Sequence, residues 1–525
     1  MKFYTSVNSI GDKIYVRGYE NGKPVEFIKK YKPYLFLQKQ DGLYRTLDGK
    51  QADKLNFDSI REARDFMKRY EDVDNFEYYG LTNFQYVFMY DNYPGEIQYD
   101  PSIVSVVTID IECAADEGFP NIQRADKEIT AICLRKNGKS IVLGCGEFET
   151  DDKNVSYLKC KDEHTLLANF LKVWNHPTWK PDIVTGWNIE FFDIPYLVNR
   201  IKNMLGDAEA KRLSPWLILE EKEVEFKGKS NQTYSPLGIA VLDYIELYKK
   251  FVPGGQSQES YKLDAICHND LGERKLSYEE YGNLHTLYKD NYQKFIEYNI
   301  RDVELVEKLD SKHKIIDLAL TLSYDNKCNY EDVFQQVRMW TVITTNRLMD
   351  NKIVVPAPKT NKKFEKYIGA YVKEPLIGMH KWVASFDLNS LYPMLIQQYN
   401  ISPETFIDPD KWPQQLQSIS SQRIDVDSLL NKKIDTTGLA EVNATLTPNG
   451  HFFYKNTQGF LAEMMETMYN DRSKYKKQSL EAKKEYEKET DKDKKYEIEK
   501  RIARYNNLQL AKKVCLNSAY GALGN

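Results

Sequence analysis

Three observations predict a multidomain protein of mixed α/β and α+β class. A chain of 525 residues is too long for one hydrophobic core. Its first hundred or so residues alternate short apolar runs with turn dipeptides, the pattern of strands and hairpins. Beyond Ile103 apolar strands and amphipathic helices are interleaved, and from about Leu461 two long charged helices close the sequence.

Composition narrows the functional classes. Hydrophobic residues make up 42% of the chain, ample for several cores. No run of about 18 uncharged apolar residues occurs, and the Met-Lys-Phe-Tyr start lacks the apolar stretch of a signal peptide, so neither a membrane span nor secretion is supported and a cytoplasmic location is expected. The seven Cys are scattered without a C-x-x-C pair and read as reduced, mostly buried thiols. A net charge of -4 argues against a generally basic nucleic-acid binder, yet phosphate affinity depends on where Lys and Arg are placed, and clustered acids can serve as metal ligands.

The elements follow in order. In residues 1 to about 105, KIYVRGYE, YLFLQK and FQYVFMY are apolar runs punctuated by Asn21-Gly22, Asp41-Gly42 and Asp48-Gly49, with one helical stretch near Ser59–Tyr70, which makes a mostly β domain. IVSVVTIDIE and EITAICLRK read as buried strands, and HTLLANFLKVW as an amphipathic helix. EVEFKGKSNQTYSPLGIAVL reads as a β-hairpin with its tip near Gly228–Asn231. A helical block runs from about Tyr292 to Asp350, Pro356–Lys362 reads as a linker, and WVASFDL as a short apolar strand feeding a turn. The two terminal helices, joined through Glu489-Thr490-Asp491-Lys492-Asp493, make an antiparallel hairpin.

Acids are placed where acids are costly. Asp110 and Glu112 lie two apart in VVTIDIEC and so share one face of a strand whose flanks, Val106, Val107, Ile109 and Ile111, are apolar. Two carboxylates on one face repel unless a cation joins them, although a pair of edge-strand acids in solvent has the same spacing. Asp193 sits among Trp187, Phe191, Phe192 and Tyr196, an environment that disfavours an acid without a partner. Tyr298 and Asp302 are i,i+4 in YNIRDVEL and share a helix face, a spacing that chance also supplies.

Near the carboxyl end, Asp387 follows the WVASF run, and Leu388 to Tyr392 turn into a helix. Arg472 and Lys476 are i,i+4; Lys513, Asn517 and Tyr520 are i, i+4, i+7; each set makes one stripe on its helix. Solvated faces of a Lys-rich helix pair have the same pattern.

Taken in this order, the acids and Tyr298 resemble the three exonuclease motifs of family B DNA polymerases, and SFDLNSLYPMLIQQYNISPET resembles that family's motif for the first catalytic aspartate of synthesis. GWN…FDIP, SFDL…SLYP, NISPET and NSAYGALGN are closest in flavour to the enzymes of T-even-like phages. The resemblance implies a ribonuclease H-like 3'-5' exonuclease domain over 106–309, an amino-terminal domain over 1–105 with a return segment over 310–358, part of a palm over 359–455, and fingers over 456–525.

It further implies that Asp110, Glu112, Asp193 and Asp302 hold two Mg2+ or Mn2+ ions, that Tyr298 orients the attacking water, and that Lys275, in GERKLSY, stands near the leaving phosphate. Two hard cations about 3.5–4 Å apart stabilise the attacking and leaving oxygens of in-line phosphodiester cleavage, and carboxylates are the ligands they prefer. For synthesis it implies that Asp387 serves both metal ions, that the amides of Ser390 and Leu391 receive the triphosphate at a helix start, and that Tyr392 lies under the sugar. Arg472, Lys476, Lys513 and Asn517 would take phosphates, and Tyr520 with Gly521 would pack on the nascent base pair. Tyr367-Ile368-Gly369-Ala370 resembles the template-binding segment that balances synthesis against proofreading, and the hairpin near Gly228 the element that helps to part primer from template. Ala519, where a bulkier residue is usual, Met394, where Ser is common, and a compact region after Asp387 depart from the family pattern.

The second aspartate expected on a Tyr-Gly-Asp-Thr-Asp-Ser hairpin is not matched: Thr490-Asp491-Lys492-Asp493 is charged and lies at a helical bend. The resulting expectation is the amino-terminal portion of a split polymerase, competent in proofreading and dependent for synthesis on a carboxyl-terminal polypeptide with the rest of the palm and the thumb; a truncated sequence of a longer gene accounts for the same residues. Primer-template DNA and dNTPs are the expected substrates, and replisome proteins, a sliding clamp among them, the expected partners. A free-standing 3'-5' exonuclease, or a non-catalytic DNA- or RNA-binding module, are the alternatives.

Overall fold

The computed structural model describes residues 1–114, 118, 120–226, 229–252, 254–357 and 372–523. They form two compact units.

The first unit comprises Met1–Tyr31, Ser59–Arg61 and Gln85–Gln335. Its amino-terminal strands Lys2–Ile10, Lys13–Glu20 and Lys23–Lys30 make an antiparallel sheet. Asn21 and Gly22 both take positive φ (51° and 77°), which closes the second hairpin through the primed turn that Asn-Gly favours.

The larger sheet has six strands in the order Val155–Lys159, Lys139–Gly144, Ile129–Lys136, Val106–Cys113, Ile183–Gly186, Ala240–Asp243. Ile129–Lys136 runs antiparallel to both its neighbours, and the remaining pairs are parallel. Alternation in VVTIDIEC assigns the faces. Val107, Ile109 and Ile111 are buried in one cluster with residues of the Glu163–Trp174 and Asp193–Leu205 helices. The opposite face, carrying Ala131, Cys133 and Val142, packs on Phe295, Ile296, Ile300 and Val303 of the Tyr292–His313 helix. Asp110 is in register with Cys133 and Glu112 with Ala131, so both acids point to that second face. The sheet is thus helix-covered on both sides, with the acids inside.

Two polar devices and one glycine fix this arrangement. Glu163 receives Arg200 bidentately (Nε 2.7 Å, Nη2 2.6 Å) and also accepts from the Ile129 amide at 2.6 Å, tying two helices to a strand. Asp243 accepts from the amides of Asn188 (3.0 Å), Glu190 (2.9 Å) and Ile245 (3.1 Å) and so holds the turn that leads into the helix starting at Asp193. Gly186, the last residue of the strand before that turn, lies where a Cβ would come within 2.4 Å of the Ile109 carbonyl oxygen, so the close approach of the two strands requires glycine. Strands Leu219–Phe226 and Lys229–Pro236 form the expected hairpin; residues 227 and 228, at its tip, lie outside the described residues.

The second unit comprises Lys32–Asp58, Glu62–Phe84 and Gln336–Asn525. It holds a four-stranded sheet in the order Ile353–Val354, Tyr44–Thr46, Gln51–Asn56, Tyr34–Gln38. A small core of Ile407, Leu416, Ile419, Ile434, Leu446 and Phe452 fills the region after the Leu391–Tyr399 helix. Helices Phe460–Lys488 and Lys492–Leu523 pack antiparallel, with Arg501 paired to Glu485 and Lys512 near Asp471 (3.7 Å). Trp340 donates its indole N–H to Ser518 Oγ at 3.0 Å, anchoring the carboxyl end of the hairpin.

Two local expectations are corrected. FQYVFMY, read as an apolar run of a β domain, is the helix Phe84–Asn92. Phe84, Tyr86, Val87, Phe88 and Met89 are all buried, and a segment apolar on every side carries no periodicity to separate helix from strand. WVASFDL forms no strand: Trp382, Val383, Phe386 and Leu388 are 69–100% exposed and no strand pairs with them among the described residues. A strand exists only as one member of a ladder, so apolarity alone does not create one. Most of the expected linker and all of Tyr367-Ile368-Gly369-Ala370 lie outside the described residues. All seven Cys are free, and five are buried. Among the described residues no helix is long and apolar enough to cross a membrane.

Candidate active sites

In the first unit, oxygens of Asp110, Glu112 and Asp302 all lie within 4.8 Å of one another. The strand Val106–Cys113 supplies the first two through its period of two, and the helix Tyr292–His313 supplies the third. Asp193, at the first position of its helix, stands beside them with Oδ1 accepting from the Ile111 amide at 3.0 Å. Tyr298, one helical turn before Asp302, is buried and edge-on to Tyr278 at 5.4 Å.

The electrostatics of this cluster are those of acids that lack a counter-charge. Burial, then the neighbouring Asp302, Glu112 and Asp193, holds the Asp110 carboxyl far above the usual carboxylate range. Glu112 is pushed up to about 8 by burial and by Asp302, and Asp193 to about 7 by burial against the opposing hydrogen bonds from backbone N–H groups. Lys275 brings a cation into contact with the cluster: its Nζ is 2.5 Å from Asp302 Oδ2 and 4.7 Å from the centre of the Tyr298 ring. Asp264 positions it, accepting from the Lys275 amide at 2.9 Å and from Arg274 at 2.7 Å. Four acids so close together cannot all ionise on the charge of Lys275 alone, and their raised carboxyl values express that shortage of positive charge. Asp302 Oδ1 is moreover buried without a hydrogen-bond partner. A set of hard oxygen donors, converging, under-neutralised and with one orphaned oxygen, fits a divalent cation.

Asn299 was not foreseen. It is fully buried between Tyr298 and Asp302 and donates Nδ2 to Asp110 Oδ2 at 2.7 Å. The available signal was its place three residues before Asp302 on the same helix face.

In the second unit the candidates fall into two groups. Ser390 takes a left-handed conformation (φ 53°, ψ 46°) immediately before the Leu391–Tyr399 helix, and Arg472 Nη1 donates to its Oγ at 3.3 Å. The rings of Tyr392 and Tyr520 stack at 4.5 Å and 9°. The structure therefore brings Ser390, Leu391, Tyr392, Arg472 and Tyr520 together. Lys476, Lys513 and Asn517 are exposed on the hairpin, and the approach of Lys512 to Asp471 puts Arg472 and Lys513 at one level of it. Asp387 is exposed and without hydrogen bond or ion pair among the described residues.

The NISPET string does more than resemblance suggested. Asn400 donates to the carbonyls of Tyr454 (2.6 Å) and Thr457 (2.8 Å) and accepts from the Gly459 amide (2.8 Å), while Glu404 accepts from the Phe460 amide at 2.6 Å and Ser402 from the Leu461 amide at 3.4 Å. These side chains satisfy the exposed N–H groups at the start of the Phe460–Lys488 helix and seat the hairpin.

Two family models match the chain. The family model described as DNA polymerase family B, exonuclease domain, matches residues 77–266, and that described as DNA polymerase family B matches 331–525. The chain is 33% identical to the DNA-directed DNA polymerase of Escherichia phage RB69 over 92% of this chain and 54% of that protein, and 30% identical to that of Enterobacteria phage T4 over 100% and 63%. It is 27% identical to the DNA polymerase delta catalytic subunit of Schizosaccharomyces pombe over 80% of this chain and 36% of that protein. The chain thus spans about half to three-fifths of the length of the phage relatives.

Proposed function

The chain belongs to the family B DNA polymerases, and from that premise we propose that its first unit is a 3'-5' proofreading exonuclease acting on the primer strand of DNA. The observation that carries this is the converging, under-neutralised set Asp110, Glu112 and Asp302 with its orphaned Asp302 oxygen. The sheet order, with the second strand Ile129–Lys136 antiparallel to its neighbours, supports a ribonuclease H-like domain over 106–309.

Asp110, Glu112, Asp193 and Asp302 would hold two ions, Mg2+ or Mn2+. Such ions, when bound, supply Lewis acidity to the attacking and leaving oxygens of the phosphodiester. Tyr298 presents its hydroxyl to the attacking water, and Lys275, held by Asp264 and paired with Asp302, offers its charge to the phosphate.

The second unit carries the nucleotide-binding half of a DNA-synthesis site, with palm residues over 359–455 and fingers over 456–525. Ser390, Leu391, Arg472, Lys476, Lys513 and Asn517 receive the triphosphate of a dNTP, Tyr392 lies under its sugar, Tyr520 lies against the base pair, and Asp387 is one of two aspartates required. The exposed apolar run around Asp387 is suited to a sheet supplied by further polymerase sequence, a carboxyl-terminal polypeptide with the second aspartate and the thumb. The working context is DNA replication in the cytoplasm of a host cell, with a sliding clamp engaged through that further sequence.

Purified chain incubated with single-stranded DNA and Mg2+ is expected to release nucleotides from the 3' end, to stop when the metal is chelated, and to be inactive as Asp110→Ala. An Asp110→Ala protein that retains the activity refutes the assignment.

A further inference from the structure

We infer that Asn299 is a positioning residue for the exonuclease centre: its amide commits one oxygen of Asp110 and leaves the other to the cation. The inference rests on the metal-dependent exonuclease reading above and extends it to a residue that reading does not use.

Asn299 is completely buried on the Tyr292–His313 helix, one residue after Tyr298 and three before Asp302, so the helix that supplies the third carboxylate also supplies this amide. Its surroundings on that helix, Phe295, Ile296, Ile300 and Val303, are apolar core. A helix interior in such a core favours Leu or Met; an Asn there must justify the loss of its hydration by hydrogen bonds. Asn299 makes only half of those open to it. Nδ2 donates to Asp110 Oδ2 at 2.7 Å and lies 3.5 Å from the Asp110 carbonyl oxygen, whereas Oδ1 is buried without a partner. A buried amide that uses its donor and leaves its acceptor idle is present for the donor.

Metal ligation requires Asp110 to be ionised, and a carbonyl turned to that carboxylate would repel it, so the metal-binding form takes the amide through Nδ2. With Oδ2 engaged, Asp110 is oriented on its strand and Oδ1 becomes its available ligand atom, matching the orphaned Oδ1 of Asp302. Hydrogen bonds to the far side of a metal ligand fix its orientation, and their loss generally weakens metal affinity or activity by about 10–100-fold.

The test is Mn2+ binding to the full chain, read by the paramagnetic resonance of free Mn2+, together with the Mn2+ concentration that half-saturates hydrolysis of single-stranded DNA. Asn299→Leu removes the donor at nearly constant volume, and Asn299→Gln retains it on a longer arm. The expected result is about 10–100-fold weaker Mn2+ binding in Asn299→Leu, hydrolysis largely restored by raised Mn2+, and smaller defects in Asn299→Gln. A merely structural role lowers the melting temperature without moving the metal midpoint, and that outcome overturns the inference, as does equal impairment of both variants. If Asn299→Leu does not fold, Asn299→Gln decides alone: a midpoint unchanged in a protein of lowered melting temperature overturns the inference, and a raised midpoint restored by Mn2+ upholds it. Failure of the unaltered chain to bind Mn2+ overturns the exonuclease reading itself, which separates the two.

Discussion

Asp302 meets opposed demands within one side chain: Oδ2 is paired with Lys275 at 2.5 Å while Oδ1 is buried without a donor. Removing the cation leaves a buried carboxylate uncompensated, a change that costs about 3–5 kcal/mol when one partner of a buried pair is deleted. Lys275→Met is therefore expected to lower the melting temperature of the metal-free protein by several degrees, and Mg2+ to recover part of the loss; calorimetry with and without the ion checks both. The same residues show what a sequence can and cannot disclose. Asp110 and Glu112 were legible because a period of two forces them to one face, whereas the Tyr298–Asp302 spacing, which chance also supplies, gained meaning only through the family resemblance. Asn299 was not legible, because an Asn in a helix is ordinary and its partner lies 189 residues away. Lys275 was legible only through resemblance; its contact with Asp302 is a tertiary fact.

Elements formed where their own residues sufficed and failed where a neighbour had to be supplied. The Asn21-Gly22 turn, the Leu219–Pro236 hairpin and the two long charged helices all match the sequence pattern, since turn chemistry and amphipathic spacing are local. WVASFDL has strand composition but no ladder partner among the described residues, and FQYVFMY has too much apolar surface for its period to show. The base of the helical hairpin depends on tertiary capping by NISPET, where Asn400 alone makes three hydrogen bonds. Asn400→Ala is expected to destabilise the second unit by about 2–3 kcal/mol, at roughly 1 kcal/mol for each bond. Trp340→Phe, which deletes one bond to Ser518, is expected to cost about 1 kcal/mol. Urea denaturation followed by circular dichroism measures both, and an Asn400→Ala loss no larger than that of Trp340→Phe contradicts the capping role.

For the molecule as a whole, pH and catalysis are the readable properties. Asp243 is fully buried, and burial pushes its carboxyl up to about 7 in spite of three hydrogen bonds from backbone N–H groups. Between the ordinary carboxylate value and about 7 the folded state holds a proton that the unfolded chain has lost, so this group withdraws stability as pH rises through that window. Urea midpoints of the metal-free protein are expected to fall from pH 5 to pH 7.5, with a shallower fall in Asp243→Asn; equal slopes contradict this assignment. The proposal that the first unit is a proofreading exonuclease is tested on a 5'-labelled primer annealed to template with Mg2+ and dNTPs. Shortening of the primer without extension, abolished by Asp110→Ala, is the result expected. A primer left intact by the unaltered chain contradicts the exonuclease assignment, and extension shows that the chain holds a second metal-binding acid for synthesis.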